Sequence, residues 1–126
     1  MTYSISEAAE LMGVSVHTLR YYEKEGLLPD LERVNGRRVF READLNWLQI
    51  LNCLKNTGMP LKEIRRYLEL CELGDASLLE RQEMILNQKR SIEGQICLLK
   101  ENMAVIESKL RYYEAAIAAG TERGII

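Results

Sequence analysis

The chain has 126 residues, 47% of them hydrophobic and 29% charged, with a formal net charge of −2. That composition excludes a disordered chain and leaves room for one small head plus one extended element. No apolar stretch reaches the roughly 18–20 residues of a bilayer crossing, and the start Met1-Thr2-Tyr3-Ser4 carries no basic or apolar leader, so a cytoplasmic protein with no membrane partner is expected.

In chain order, Ser4 or Ser6 is placed to cap a short helix with Ile5, Ala8, Ala9 and Met12 at helical spacing. Gly13-Val14-Ser15 breaks that pattern, and Ser15 can cap a second helix over residues 16–25, which Gly26 ends by taking a left-handed conformation. Ala9, Gly13 and Leu19 fall where a helix-turn-helix needs a small residue, a turn glycine and a core residue. Pro29 bars a helix in the next stretch, and Asn35-Gly36 between Val34 and Val39-Phe40 signals a two-residue hairpin. A small β-hairpin wing is expected there.

A third helix is expected over residues 42–57, with Leu45, Leu48, Leu51 and Leu54 near helical period and Gly58-Met59-Pro60 stopping it. Pro60 then opens a fourth helix, where its missing N–H costs little, and Gly74-Asp75 closes it. From Ser77 the period changes: Leu78, Ile85, Ile92, Leu99, Ile106 and Tyr113 recur every seven residues. Ile96, Met103, Leu110 and Ile117 form the complementary set, while Gln82 and Lys89 weaken its early positions. That is an a/d seam on one long helix, about 60 Å at roughly 1.5 Å per residue. Left alone, its apolar stripe would face water, so the ten seam residues are expected to form a homodimer interface. The expected architecture is mainly α: a winged helix-turn-helix head over residues 1–75, a dimerising coiled-coil helix over 76–118 and a short tail over 119–126.

The acidic total does not favour nucleic acid, but the charge is uneven. Residues 15–41 hold six cations (Arg20, Lys24, Arg33, Arg37, Arg38, Arg41) against four anions (Glu23, Glu25, Asp30, Glu32), a local bias that a nucleic-acid face can use. In a helix-turn-helix the second helix enters the major groove, its N-terminal half facing base edges and phosphates. Ser15, His17, Thr18, Arg20 and Tyr21 sit on that part, and an arginine can grip guanine bidentately or clamp a phosphate. The expected partner is double-stranded DNA; the alternative is a coiled-coil adaptor with a protein-binding head. No catalytic role is expected, since the single histidine, His17, lies on the second helix and no nucleophile elbow or phosphate loop is present.

The run Leu19-Arg20-Tyr21-Tyr22-Glu23-Lys24-Glu25-Gly26-Leu27, followed by Arg33-Val34-Asn35-Gly36-Arg37-Arg38-Val39-Phe40, resembles the signature of MerR-type transcription regulators. The likeness spans essentially the whole chain. It departs at Arg37, where the family usually has tyrosine, and at Phe40, which replaces another frequent tyrosine. The resemblance implies an antiparallel coiled-coil dimer on a palindromic promoter operator, with Arg33, Arg37 and Arg38 of the wing and Lys62 of the fourth helix among the DNA contacts. It further implies that the dimer distorts the DNA, so that RNA polymerase is engaged indirectly.

The cysteines Cys53, Cys71 and Cys97 form an odd set without a C-x-x-C pair and are expected to be reduced thiols. Metal-sensing relatives carry cysteines at the start of the dimer helix and after it; residues 75–80 and 118–126 contain none, so neither a metal site nor a cofactor is expected. Drug-sensing relatives append a ligand-binding domain, for which no segment is left. The stretch Asn52-Cys53-Leu54-Lys55-Asn56-Thr57-Gly58-Met59-Pro60 resembles the single-cysteine subfamily that responds to aldehydes and other electrophiles, and Cys53 is the effector-sensing candidate. Its place near a helix C-terminus disfavours a thiolate, so activation would need a cation such as Lys55 or a partner-chain residue.

Overall fold

The computed structural model describes residues 1–124. Its elements are β1 (Thr2–Ser4), α1 (Ile5–Met12), α2 (Val16–Lys24), β2 (Glu32–Val34), β3 (Arg37–Arg41), α3 (Glu42–Asn56), α4 (Leu61–Leu73), a 3₁₀ turn (Gly74–Ser77) and α5 (Leu78–Ala119). The chain is mostly helical with one small sheet, and the winged helix-turn-helix head and the long C-terminal helix stand as the sequence predicts.

Local chemistry accounts for the helix starts. Ser4 caps α1 in a reciprocal box: its Oγ accepts the Glu7 N–H at 3.1 Å, and the Glu7 carboxylate accepts the Ser4 N–H at 2.9 Å. Ser15 caps α2 by accepting the Thr18 N–H at 3.0 Å. The Arg41 N–H donates to Asp44 at 2.8 Å and starts α3 directly from the end of β3. Gly13, at φ 68°, lets the chain turn from α1 into α2 through a left-handed residue.

The hairpin turns at Asn35 (φ 53°) and Gly36 (φ 77°), two consecutive left-handed residues of the kind a tight hairpin requires. The sheet, however, has three strands in the order β1-β3-β2 rather than the expected two. β1 pairs antiparallel with β3 in the register Thr2↔Arg41, Tyr3↔Phe40 and Ser4↔Val39. Three residues are too few for an alternating pattern to announce a strand. Its pairing is completed by contacts far along the chain, including the Tyr3 hydroxyl donating to Glu42 at 2.7 Å.

Two compact units make up the chain, the first being Met1–Gln88 and the second beginning at Lys89. In the first, Leu19 of α2, Leu27, Phe40 of β3, Leu48, Leu51 and Leu54 of α3, and Ile64 of α4 are fully buried together. Each contributes about 1.5–3 kcal/mol by leaving water, which is what holds α2 against α3 and the wing. Trp47 joins them with its polar edge satisfied: the indole N–H donates to the Leu27 carbonyl at 2.7 Å, and the ring stacks on Tyr67 at 6.0 Å between centroids. The second unit is the later part of α5 and the turn after it. There Tyr112 donates its hydroxyl to Glu122 at 2.5 Å, and Gly120, at φ 72°, turns the chain so that the Thr121 N–H reaches the Ala116 carbonyl at 3.1 Å.

Candidate nucleic-acid interface

α2 divides its residues between two environments at helical spacing. Leu19 and Tyr22 are buried, while His17, Arg20, Tyr21 and Lys24 are exposed and Thr18 is half-buried. The adjacent tyrosines thus do different things. Tyr22 is a core residue, 3% exposed, whose hydroxyl donates to Asn52 on α3 at 3.0 Å, and Tyr21 faces outward beside it. Ser15 and Thr18 bond to each other through their hydroxyls at 2.9 Å, so both sit at a defined place on the first turn of α2.

The wing carries its charge under strain of its own making. Arg33 lies directly opposite Arg38 in the hairpin register, and facing like charges destabilise a strand pair. Glu23 offsets this by accepting a hydrogen bond from the Arg38 Nε–H, which also ties the wing to α2. Arg33 is exposed and reaches the Gly36 carbonyl at 3.5 Å. At the other end of the hairpin Arg41 donates to Glu32 at 2.8 Å.

Three of the arginines singled out from the sequence meet at one place. Arg20 from α2 and Arg37 and Arg38 from the wing line a recess of about 440 Å³ together with Ser4, Ile5, Ser6 and Gly36. Ser4 and Ile5 are the cap and first residue of α1, whose end already carries the Glu7 carboxylate, so the positive charge of the recess comes from the guanidinium groups, that of Arg38 shared with Glu23. Among the described residues neither Arg20 nor Arg37 has an acidic partner, so their charge is left for a ligand. A dense cation cluster beside a helix start suits a phosphate oxygen. Sequence reasoning found the arginines and missed Ser4 to Ser6, whose capping box was visible but whose nearness to the wing was not.

Lys62 is exposed on the first turn of α4 and lines a different depression, with Arg65 and Arg66. Arg65 donates to the Glu25 carbonyl at 3.0 Å, holding the C-terminal end of α2 by a cation where the helix dipole favours one. Neither arginine was anticipated: Arg65 gains its task from Glu25 at the end of α2, and Arg66 pairs with Glu80 at 3.2 Å at the start of α5.

Cys53 is exposed, Cys71 half-buried and Cys97 exposed, all as free thiols. The sequence offered Lys55 as a cation for Cys53, but its ammonium lies over the α2 tyrosines, 4.8 Å from the Tyr22 ring centroid and 5.5 Å from that of Tyr21. Among the described residues no three His, Cys, Asp or Glu side chains gather in a way that could hold a metal, and no helix is long and apolar enough to cross a membrane.

The expected dimer seam is open to solvent in the single chain. In the second unit Leu99 is 65% exposed, Ile106 66% and Ile117 79%, with Ile96, Met103, Leu110 and Tyr113 also exposed. In the first unit Leu78 and Ile85 are exposed; Ile92, the next member of the repeat and part of the second unit, is half-buried.

Comparison with known proteins agrees with this arrangement. Residues 3–71 match the family model described as MerR HTH family regulatory protein. An HTH-type transcriptional regulator of Haemophilus influenzae is 44% identical over 99% of this chain and 93% of its own length. The HTH-type transcriptional regulator YyaN of Bacillus subtilis is 38% identical over 94% of this chain and 85% of its own. Among solved structures, HiNmlR, a MerR family regulator lacking the sensor domain and bound to promoter DNA, superposes with a TM-score of 0.90 at 44% identity, covering 99% of this chain and 100% of that one. With the whole fold and the helix-turn-helix segment matched, the chain belongs to the MerR family of helix-turn-helix transcriptional regulators.

Proposed function

We propose that the protein acts as a homodimer on a palindromic promoter operator and controls transcription by distorting the DNA. The observation that carries this reading is the recess where Arg20, Arg37 and Arg38 converge on the start of α1. It joins the recognition helix and the wing in one phosphate clamp. Ser15, His17, Thr18 and Tyr21 face the major groove from α2, Arg33 extends the contact along the wing, and Lys62 holds a further phosphate from α4. Bending and untwisting a duplex costs energy that must be offset by the contacts the bend permits, and multiple phosphate contacts on each protomer supply it. RNA polymerase then responds to the altered promoter, without a protein contact of its own.

The second copy is required by the seam. Leu78, Ile85, Ile92, Ile96, Leu99, Met103, Ile106, Leu110, Tyr113 and Ile117 repeat on one stripe of α5, and an equal stripe from another protomer covers them. For the effector, Cys53 is an exposed thiol on α3, the helix that packs behind α2. Its thiolate can add to an aldehyde carbonyl carbon; a C–S bond forms, the oxygen takes a proton, and nothing leaves.

The test is a titration of labelled promoter duplexes at several salt concentrations with the parent chain and Arg20→Ala. Tight, steeply salt-dependent binding to a palindromic site is expected, with Arg20→Ala losing about two orders of magnitude while remaining dimeric. Weak binding that ignores sequence would favour the adaptor reading, and unchanged affinity of Arg20→Ala would remove α2 from the groove.

A further inference from the structure

The last two turns of α3 are held from both sides by side-chain hydrogen bonds. On one side lies α2, with the Tyr22 hydroxyl on Asn52 at 3.0 Å and Lys55 over the two tyrosine rings. On the other lies the start of α5. Gln88, buried to 9% exposure on an otherwise exposed stretch of that helix, donates from Nε2 to the Thr57 hydroxyl at 2.6 Å and to the Thr57 carbonyl at 3.3 Å. Thr57 in turn donates its hydroxyl to the Cys53 carbonyl at 2.7 Å, and its N–H reaches the same oxygen at 3.1 Å. The chain of donors therefore runs from α5, through the cap of α3, to the backbone of Cys53.

A helix C-terminus leaves four carbonyls without intrahelical partners. Here the Thr57 carbonyl at that end is satisfied from another helix, by the Gln88 amide. Apolar packing tolerates small slides, but a hydrogen bond at 2.6 Å between the buried Gln88 amide and the half-buried Thr57 hydroxyl weakens steeply with distance and angle. The link is thus suited to fix one register of α5 against α3, and through Asn52 and Lys55 one register of α3 against the recognition helix.

We propose that Gln88 and Thr57 are positioning residues that couple the dimer helix to the recognition helix, and so determine how a bound dimer distorts its promoter rather than how tightly it binds. This rests on the promoter-distortion reading above. It assigns a role to two residues for which the sequence suggested none.

The experiment compares four full-length chains: the parent, Thr57→Val, Gln88→Glu and Thr57→Ser. Valine keeps the shape of Thr57 and removes the hydroxyl, glutamate keeps the length of Gln88 and removes the donor, and serine retains the link. Operator affinity is measured by fluorescence anisotropy, and transcription from the same promoter in vitro at saturating protein. Thr57→Val and Gln88→Glu are expected to bind within about threefold of the parent while output per bound dimer shifts about fivefold or more, and Thr57→Ser should match the parent in both. Equal output per bound dimer across the four chains would overturn the proposal, as would affinity and output falling together in both Thr57→Val and Gln88→Glu. A parent chain that occupies the operator without changing its transcription would instead sink the function proposed above.

Discussion

Arg38 on the wing hands its Nε–H to the carboxylate of Glu23 on α2, fifteen residues earlier, so the hairpin and α2 are tied by a charged hydrogen bond. Both side chains are more than a third exposed, and such a pair adds less than about 1 kcal/mol to stability. Its consequence is geometric: it sets Arg38 beside Arg20 and Arg37 before any DNA arrives.

The neighbouring arginines should therefore behave differently toward salt. Arg37→Ala removes an unpaired charge and should lower the slope of log affinity against log salt by about 0.9, the value for one phosphate contact. Arg38→Ala removes a charge already partly neutralised by Glu23, so its slope should change less while affinity still falls as the wing loses its tie. Operator titrations between low and moderate salt read both slopes; equal changes would show that Glu23 does not shield Arg38.

Trp47→Phe keeps most of the apolar volume but leaves the Leu27 carbonyl without the indole donor at 2.7 Å. A buried acceptor that loses its partner costs about 1–3 kcal/mol, and the urea unfolding midpoint should drop accordingly. Parent and variant are compared at one protein concentration, because unfolding of the proposed dimer would depend on it. An unchanged midpoint would mean that solvent replaces the indole.

Ile106→Asp places a charge in the middle of the seam, and the proposed dimer would carry the lesion twice. Forfeiting the burial of both isoleucines is worth about 3–6 kcal/mol, or roughly 10²–10⁴ in the dissociation constant. Sedimentation should find monomers at concentrations where the parent is dimeric, with the helical signal of the head retained. A variant that stays dimeric would place the interface on another face of α5.

Cys53→Ser removes the thiol at an exposed position of α3. Operator affinity should stay within about twofold of the parent, as for an exposed substitution outside the DNA contacts, and transcription should no longer respond to an added aldehyde. A serine variant that still responds would assign the sensor to another group.

The helix starts, the wing turn and the period of α5 were legible in the sequence, because each is decided within a few residues. Ser4 with Glu7, Ser15 with Thr18, and Asn35-Gly36 close their hydrogen bonds or turns locally. The heptad repeat of α5 reports a stripe whatever comes to cover it. These short-range signals, with the resemblance in residues 19–40, determined the fold class and the family.

What the tertiary structure alone decided is which of those residues meet. β1 became a strand through its pairing with β3, and its Tyr3 hydroxyl reaches Glu42 of α3 across 39 positions. Lys55 settled over the rings of Tyr21 and Tyr22, and Gln88, an unremarked polar residue of α5, reached Thr57 across 31 positions. Arg38 was marked in advance as a DNA contact, but its partner Glu23 was not. Local pattern is blind to such pairings because each depends on how apolar faces of separate helices stack, and only that stacking brings the polar residues at their edges within hydrogen-bond reach.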